Sequence, residues 1–307
     1  MPPSASPGPP RLFDRALHRK RLDRAAAGFA AADFLQRRAA LDLVERLEVI
    51  MRDFPRAVDL SARKGALREA LDRSPAGARI GLLAEADLSA AMLAGRGGPR
   101  LALDEERLPF ADESLDLVVS TLGLHWTNDV VGALIQIRRA LRPDGLFLGA
   151  LLGGSTLTEL RQALTEAESE LLGGAGSRVS PFADSRDAAG LLQRAGFALP
   201  VADVDRVTVS YEHPLKLMGD LRQMGETNVL AERHPRGLTR ALLARASEIY
   251  AERFAGADGR IVATFEIVTL TGWAPHESQP QPLKPGSATM RLADALGTVE
   301  HRLPRDG

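Results

Sequence analysis

Residues 115–121, Leu-Asp-Leu-Val-Val-Ser-Thr, form a near-continuous apolar run rich in β-branched side chains. A run of this kind is buried on both faces, the mark of a central parallel strand. Parallel neighbours can be joined only by long crossovers, so the chain around the run must alternate strands with helices. It does. A helical spacing over 33–51 comes first, then a strand at Ala57-Val58-Asp59-Leu60, a turn over Ser61–Gly65 and a helix over about 63–73. A second strand at 78–83, a short helix at 87–94 with Asp87 as its cap and a third strand at 101–104 follow. Beyond the central run, a helix at 129–141 closes on Arg142-Pro143-Asp144-Gly145, and 146–152 is a fifth strand. Apart from a plain loop after the third strand, this order predicts an α/β fold: an open parallel sheet with helices on both faces.

The second half changes rhythm. A helix over 155–172, with Ser155 or Thr156 as cap, leads into a Gly-rich linker at 173–178 and a helix over 185–196 stopped by Gly196. Two long strands, 198–211 and 260–273, flank a helical excursion at about 213–258 that includes a helix over 237–254. They predict a hairpin-like edge on the sheet, plus a lid. The expected organisation is a proline-rich leader and basic arm over 1–28, one domain over 29–275 and a polar tail over 276–307. The arm carries six Lys/Arg against two Asp over 11–26, as a solvated helix or as a segment that touches a partner or covers a cleft.

Composition narrows the function classes. Lys and Arg number 39 against 40 Asp and Glu, so no global field favours nucleic acid or anionic lipid. No apolar run is long enough to span a membrane. There is no cysteine, and the six histidines stand outside any metal-ligand spacing, so no metal site is expected. The leader lacks the apolar centre of a secretory signal, and a cytoplasmic location is the default expectation.

Ligands of open parallel sheets bind beyond the carboxyl ends of the strands. The sequence places Asp59 and the Ser61–Gly65 turn there, then Glu85 and Asp87, then Asp104-Glu105-Glu106, then Ser120, Thr121, Leu122, His125 and Trp126. An acid after the second strand can accept from both hydroxyls of a ribose, and one after the third from an adenine amino group.

Asp104-Glu105 with "LPFADESLDLVVSTLGLHWTND" and "ALRPDGLFLGA" resembles the class I S-adenosylmethionine-dependent methyltransferases, in particular the type-11 and biotin-synthesis groups. "GGSTLTELRQAL", "SPFADSRDAAGLLQRAGF", "LMGDLRQMGETN" and "TGWAPHESQPQPLKPGSAT" narrow the resemblance to the complex I assembly factor of methyltransferase fold and its bacterial relatives, from about Phe13 to Thr289. The resemblance implies a Rossmann-like, seven-stranded sheet with an antiparallel last strand, an S-adenosylmethionine cleft and a protein client, a complex I subunit. For the mitochondrial relative it implies hydroxylation of a client arginine. Carried over, Asp59, Ser61, Arg63, Gly65, Asp87, Asp104, Glu105 and Leu122 are the candidate cofactor residues, and His125 and Trp126 the weaker catalytic candidates.

The first bend departs from the family. Asp-Leu-Gly-Cys-Gly-Arg-Gly is replaced by Asp-Leu-Ser-Ala-Arg-Lys-Gly over 59–65. Arg63 stands where the middle glycine lets backbone approach the cofactor, and it either swings to solvent or reshapes the pocket. His125 reads as a general base or as a structural histidine beside its Trp. "MGETN" (224–228) and the tail over 276–289 are candidates to line the substrate opening, against a helix cap and a frayed end. Three functions follow: a methyltransferase, an arginine hydroxylase, or a non-catalytic assembly factor that has lost the cofactor.

Overall fold

The computed structural model describes residues 11–182, 187–234, 237–280 and 290–299. The leader over 1–10, the start of the helix expected from 185 and most of the tail from 281 onward lie outside or only partly within them. The chain forms two compact units, Met1–Pro275 and His276–Gly307.

The first unit is built on one seven-stranded sheet. Its strands are β1 (Phe54–Asp59), β2 (Ile80–Asp87), β3 (Arg100–Ala102), β4 (Leu115–Thr121), β5 (Leu141–Leu152), β6 (Ala198–Tyr211) and β7 (Ile261–Trp273), in the order 3-2-1-4-5-7-6. The first five are parallel, with Val58 opposite Val118 and Val118 opposite Phe147. β7 runs antiparallel to both β5 and β6, pairing Leu148 with Thr271 and Val204 with Val268. This is the expected mostly parallel sheet with an antiparallel last strand.

Helices cover both faces. On one lie α2 (Phe34–Glu48), α3 (Ala66–Leu71), α6 (Thr158–Leu172), α8 (Pro214–Met224) and α9 (Arg240–Phe254), joined through Leu43, Leu117, Leu148, Leu164, Leu217 and Phe265. On the other lie α5 (Val130–Ala140) and α7 (Ala188–Arg194), joined through Val58, Val118, Leu134, Ile137, Phe147 and Leu192. Full burial of each such side chain is worth about 1.5–3 kcal/mol. Two more helices complete the unit, α1 (Arg15–Ala25) and the short α4 (Ala90–Leu93); α10 (Leu292–Ala295) belongs to the second unit.

Three local expectations are corrected. Arg142-Pro143-Asp144-Gly145 is no free turn but the irregular start of β5; the register shifts between Leu115 and Leu117, and Asp144 takes φ +64°. Asp87 is the last residue of β2, and Ser89 caps α4 by accepting from the Met92 N–H at 3.2 Å. Neither Ser155 nor Thr156 caps α6, which starts from Leu157 in the left-handed region. The Thr156 hydroxyl is drawn instead to Glu266 of β7, accepting from its N–H at 3.0 Å.

Candidate functional site

The first bend is pinned on both sides by the sheet. Leu60 N–H donates to Val119 O at 2.8 Å and Ala62 N–H to Ala86 O at 3.0 Å. Within it Arg63 has φ +49° and Gly65 φ +85°. Of the two replaced glycines, only position 63 requires the left-handed region, where a side chain costs roughly 1–2 kcal/mol. Ser61 is absent from that region; its hydroxyl lies where a Cβ on Gly123 would fall and donates to Glu105 Oε1 at 3.2 Å.

Arg63 turns inward. Its side chain is buried, and Nη1 donates to Asp87 Oδ2 at 3.0 Å and to Oδ1 at 3.2 Å. The Arg63 N–H donates to Oδ2 at 3.0 Å and the Ser89 N–H to Oδ1 at 2.9 Å. An ionised carboxylate offers about four acceptor positions, and three nitrogens of the chain itself, Arg63 N, Arg63 Nη1 and Ser89 N, make four contacts with those on Asp87.

The neighbouring acids are also engaged by arginines. Glu85, buried within β2 rather than beyond it, faces Arg96 Nε at 2.9 Å and Arg68 Nε at 3.3 Å. The Arg96 guanidinium lies directly over Gly65, in the space a Cβ there would need. Asp59 is the exception: it is fully buried, and neither carboxylate oxygen has a hydrogen-bond partner. Burial first, then the nearby Glu85 and Asp87, push its carboxyl well above the ordinary range, which favours the neutral acid.

α1 covers the same edge, which answers what the basic arm does. Arg15 reaches from it to both Asp104, at 2.8 Å, and Glu105. Burial alone would raise the Asp104 carboxyl, but the Arg15 hydrogen bond and charge carry it below its ordinary value. Arg19 Nε donates to Leu88 O at 3.1 Å, and Leu22 packs with Leu88 and Met92. His18 is buried beside these groups. Desolvation, then the charges of Arg63 and Arg15, lower its pKa well below the usual value and keep the ring neutral. Arg15 Nη1 donates to His18 Nδ1 at 3.4 Å, which assigns the proton to Nε2.

His125 and Trp126 follow β4 and share one acid, Glu226, which lies just past α8. Trp126 Nε1 donates to Glu226 Oε2 at 2.7 Å, and His125 Nε2 lies 3.3 Å from the same oxygen. The Leu152 N–H donates to His125 Nδ1 at 3.4 Å, so both ring nitrogens are committed inside the fold. Phe13 and Phe182 pack edge-on against Trp126 with centroids 5.2 and 6.2 Å away. Leu122 takes φ +51° and, with Arg63, Gln36 and Glu226, borders a hollow of about 20 Å³. Beyond it opens a larger cavity of about 300 Å³, reached by Met224, Glu226, Thr227 and Asn228 of the "MGETN" stretch.

The candidate residues therefore meet at one sheet edge, but around their own chain. Arg15, His18, Arg68, Arg96 and Glu226 were not among the sequence candidates, although the basic arm and "MGETN" pointed to two of the segments that supply them.

The methyltransferase domain profile matches residues 58–149. The chain is 39% identical over 299 residues to the mitochondrial arginine-hydroxylase NDUFAF5 of Mus musculus, covering 96% of this chain and 87% of that protein. It is 33% identical over 279 residues to the malonyl-[acyl-carrier protein] O-methyltransferase of Gallionella capsiferriformans, covering 86% and 92%. Among solved structures, a putative methyltransferase from Bacillus halodurans matches with TM-score 0.52 at 14% identity, over 77% of this chain and 99% of that one, a likeness of fold. The expected cytoplasmic location is corrected: the NDUFAF5 relatives are mitochondrial proteins. With that identity sustained over nearly its whole length, this methyltransferase-fold chain belongs to the arginine-hydroxylase NDUFAF5 family.

Proposed function

We propose that this protein is a non-catalytic assembly factor, which holds a protein client, a respiratory complex I subunit, and does not use S-adenosylmethionine. The observation that carries this is the engagement of both Asp87 oxygens by Arg63 and Ser89. A ribose needs that carboxylate as an acceptor for its hydroxyls, and both of its buried oxygens already accept from the chain. The residues present do not fit the cofactor elsewhere either. Arg15 engages the acids expected to meet the adenine, and the hollow beside Arg63 has room for a water molecule rather than a nucleoside. The client is inferred from the family's resemblance to complex I assembly factors.

Calorimetry of the full chain with millimolar S-adenosylmethionine and S-adenosylhomocysteine tests the reading. No binding heat is expected from the wild type, and loss of the chain from cells is expected to impair complex I assembly. Binding or turnover of the cofactor by the wild type overturns it.

The name of the NDUFAF5 relatives favours one second reading, hydroxylation of a client arginine. That chemistry inserts an oxygen atom and requires an oxidant. Among the described residues, no three His, Cys, Asp or Glu side chains gather where a metal ion could be held. The mass of the client subunit from cells with and without the chain discriminates: an arginine heavier by one oxygen only when the chain is present would establish this second reading.

A further inference from the structure

The larger cavity, of about 300 Å³, is bounded by α6, α8, the end of β5 and Phe265 of β7. Its size is at the lower end of the roughly 300–1,000 Å³ of small-ligand pockets. Leu152, Leu160, Leu164, Leu221, Met218 and Phe265 make its walls apolar. Cations stand around it: Arg21 from α1, Arg222 from α8, and Arg178 and Arg233 from the flanking loops.

The acids nearby are mostly spoken for. Glu226 is taken by Trp126 and His125, Glu168 by Arg178 at 2.6 Å, and Asp14 faces Arg233 at 3.5 Å. Arg21 donates to the Thr227 hydroxyl, and neither it nor Arg222 makes an ion pair with a described carboxylate. Burial, then the charges of Arg233 and Arg24, lower the Arg21 pKa, with the charge of Asp14 acting the other way.

We propose that this cavity binds a free acyl-chain carboxylate, its tail against the leucine and phenylalanine walls and its head between Arg21 and Arg222. A peptide is the poorer occupant. Its amides would need hydrogen-bond partners, but of the polar lining Glu226, Thr227 and Asn228 are already engaged within the chain, and the leucine and phenylalanine walls supply none. The proposal rests on this cavity alone and stands whether or not the cofactor cleft is closed.

The test is calorimetry of the full chain with dodecanoate and dodecanol, both below their aggregation limits. Dodecanoate is expected to bind with micromolar Kd and dodecanol at least tenfold more weakly. Arg222→Gln, at an exposed position, and Arg21→Gln should each weaken dodecanoate several-fold and leave dodecanol unchanged. Leu164→Trp, which fills the cavity, should weaken both. Absence of dodecanoate binding, equal affinity for the alcohol, or unchanged affinity in both arginine variants overturns the proposal. Sedimentation with phosphatidylglycerol vesicles in place of dodecanoate binding would make the region a membrane contact and overturn it as well. Cofactor calorimetry reads the proposed function separately.

Discussion

The guanidinium of Arg63 and the carboxylate of Asp87 are both shut off from solvent and meet at 3.0 Å, while the Arg63 backbone N–H donates to the same oxygen. One residue thus binds Asp87 twice, through its side chain and through a backbone held at φ +49°. Removing the side chain alone leaves a buried, uncompensated carboxylate. Breaking such a pair costs about 3–5 kcal/mol, far more than the roughly 1–2 kcal/mol of backbone strain that glycine would relieve. Arg63→Gly is therefore expected to be net destabilising by a few kcal/mol in urea denaturation. A loss below about 1 kcal/mol, ordinary for an exposed ion pair, would mean that the side chain points to solvent.

β4 and β6 were legible to the residue, β4 as a near-continuous run rich in β-branched side chains and β6 as a long strand with valines spaced along it. The start of β5 was not. Pro143-Asp144-Gly145 has the local chemistry of a turn, and it is held in the sheet by the pairing of Leu141 and Leu146 on either side and by the Asp144 N–H and Gly145 carbonyl bonding to Ala274, just past β7. The acids of the site were legible too, although Glu85 and Asp87, expected after the second strand, lie within it. Their partners were not, because Arg15, Arg68 and Arg96 read as solvated side chains until the fold brings buried acids within their reach. For Arg63 the sequence located the question, inward or outward, but the answer depended on Asp87, 24 residues away.

Asp59 gives a prediction opposite to that for Arg63. Its folded carboxyl titrates well above its unfolded value, because burial and then Glu85 and Asp87 disfavour the charge. Between the two values the folded state holds a proton that the unfolded chain has released, so stability falls as pH rises through that window. Asp59→Asn keeps the shape and removes the titration. The variant is expected to have the higher Tm at pH 8 and to lose its advantage near pH 3, where the wild-type acid is neutral in both states. A lower Tm than wild type at pH 8 would show that the native carboxylate is charged and needed.

His18 acts on the acid side. Desolvation and then the charges of Arg63 and Arg15 hold it neutral in the folded protein. Below the unfolded value of about 6.5, the unfolded chain gains a proton that the folded chain refuses. Stability is therefore lost as pH falls from there towards the lowered folded value. His18→Gln is expected to flatten urea midpoints between pH 6.5 and 5 relative to wild type. An unchanged slope would sink the assignment.

Glu226 is a joint between the sheet edge and α8. Its Oε2 accepts from the buried Trp126 indole at 2.7 Å and lies 3.3 Å from His125 Nε2. Glu226→Leu leaves the indole N–H without an acceptor in an apolar surround, a loss of about 1–3 kcal/mol for an unsatisfied buried donor. Glu226→Gln keeps an oxygen at that place and should cost less, although it also weakens the field that helps hold the Arg63 cation. Urea denaturation followed by tryptophan fluorescence reads both variants. The expected order is wild type, then Gln, then Leu. Equal stability of the Gln and Leu variants would mean that the hydrogen bond to Trp126 contributes nothing, and the indole would then have to find water instead.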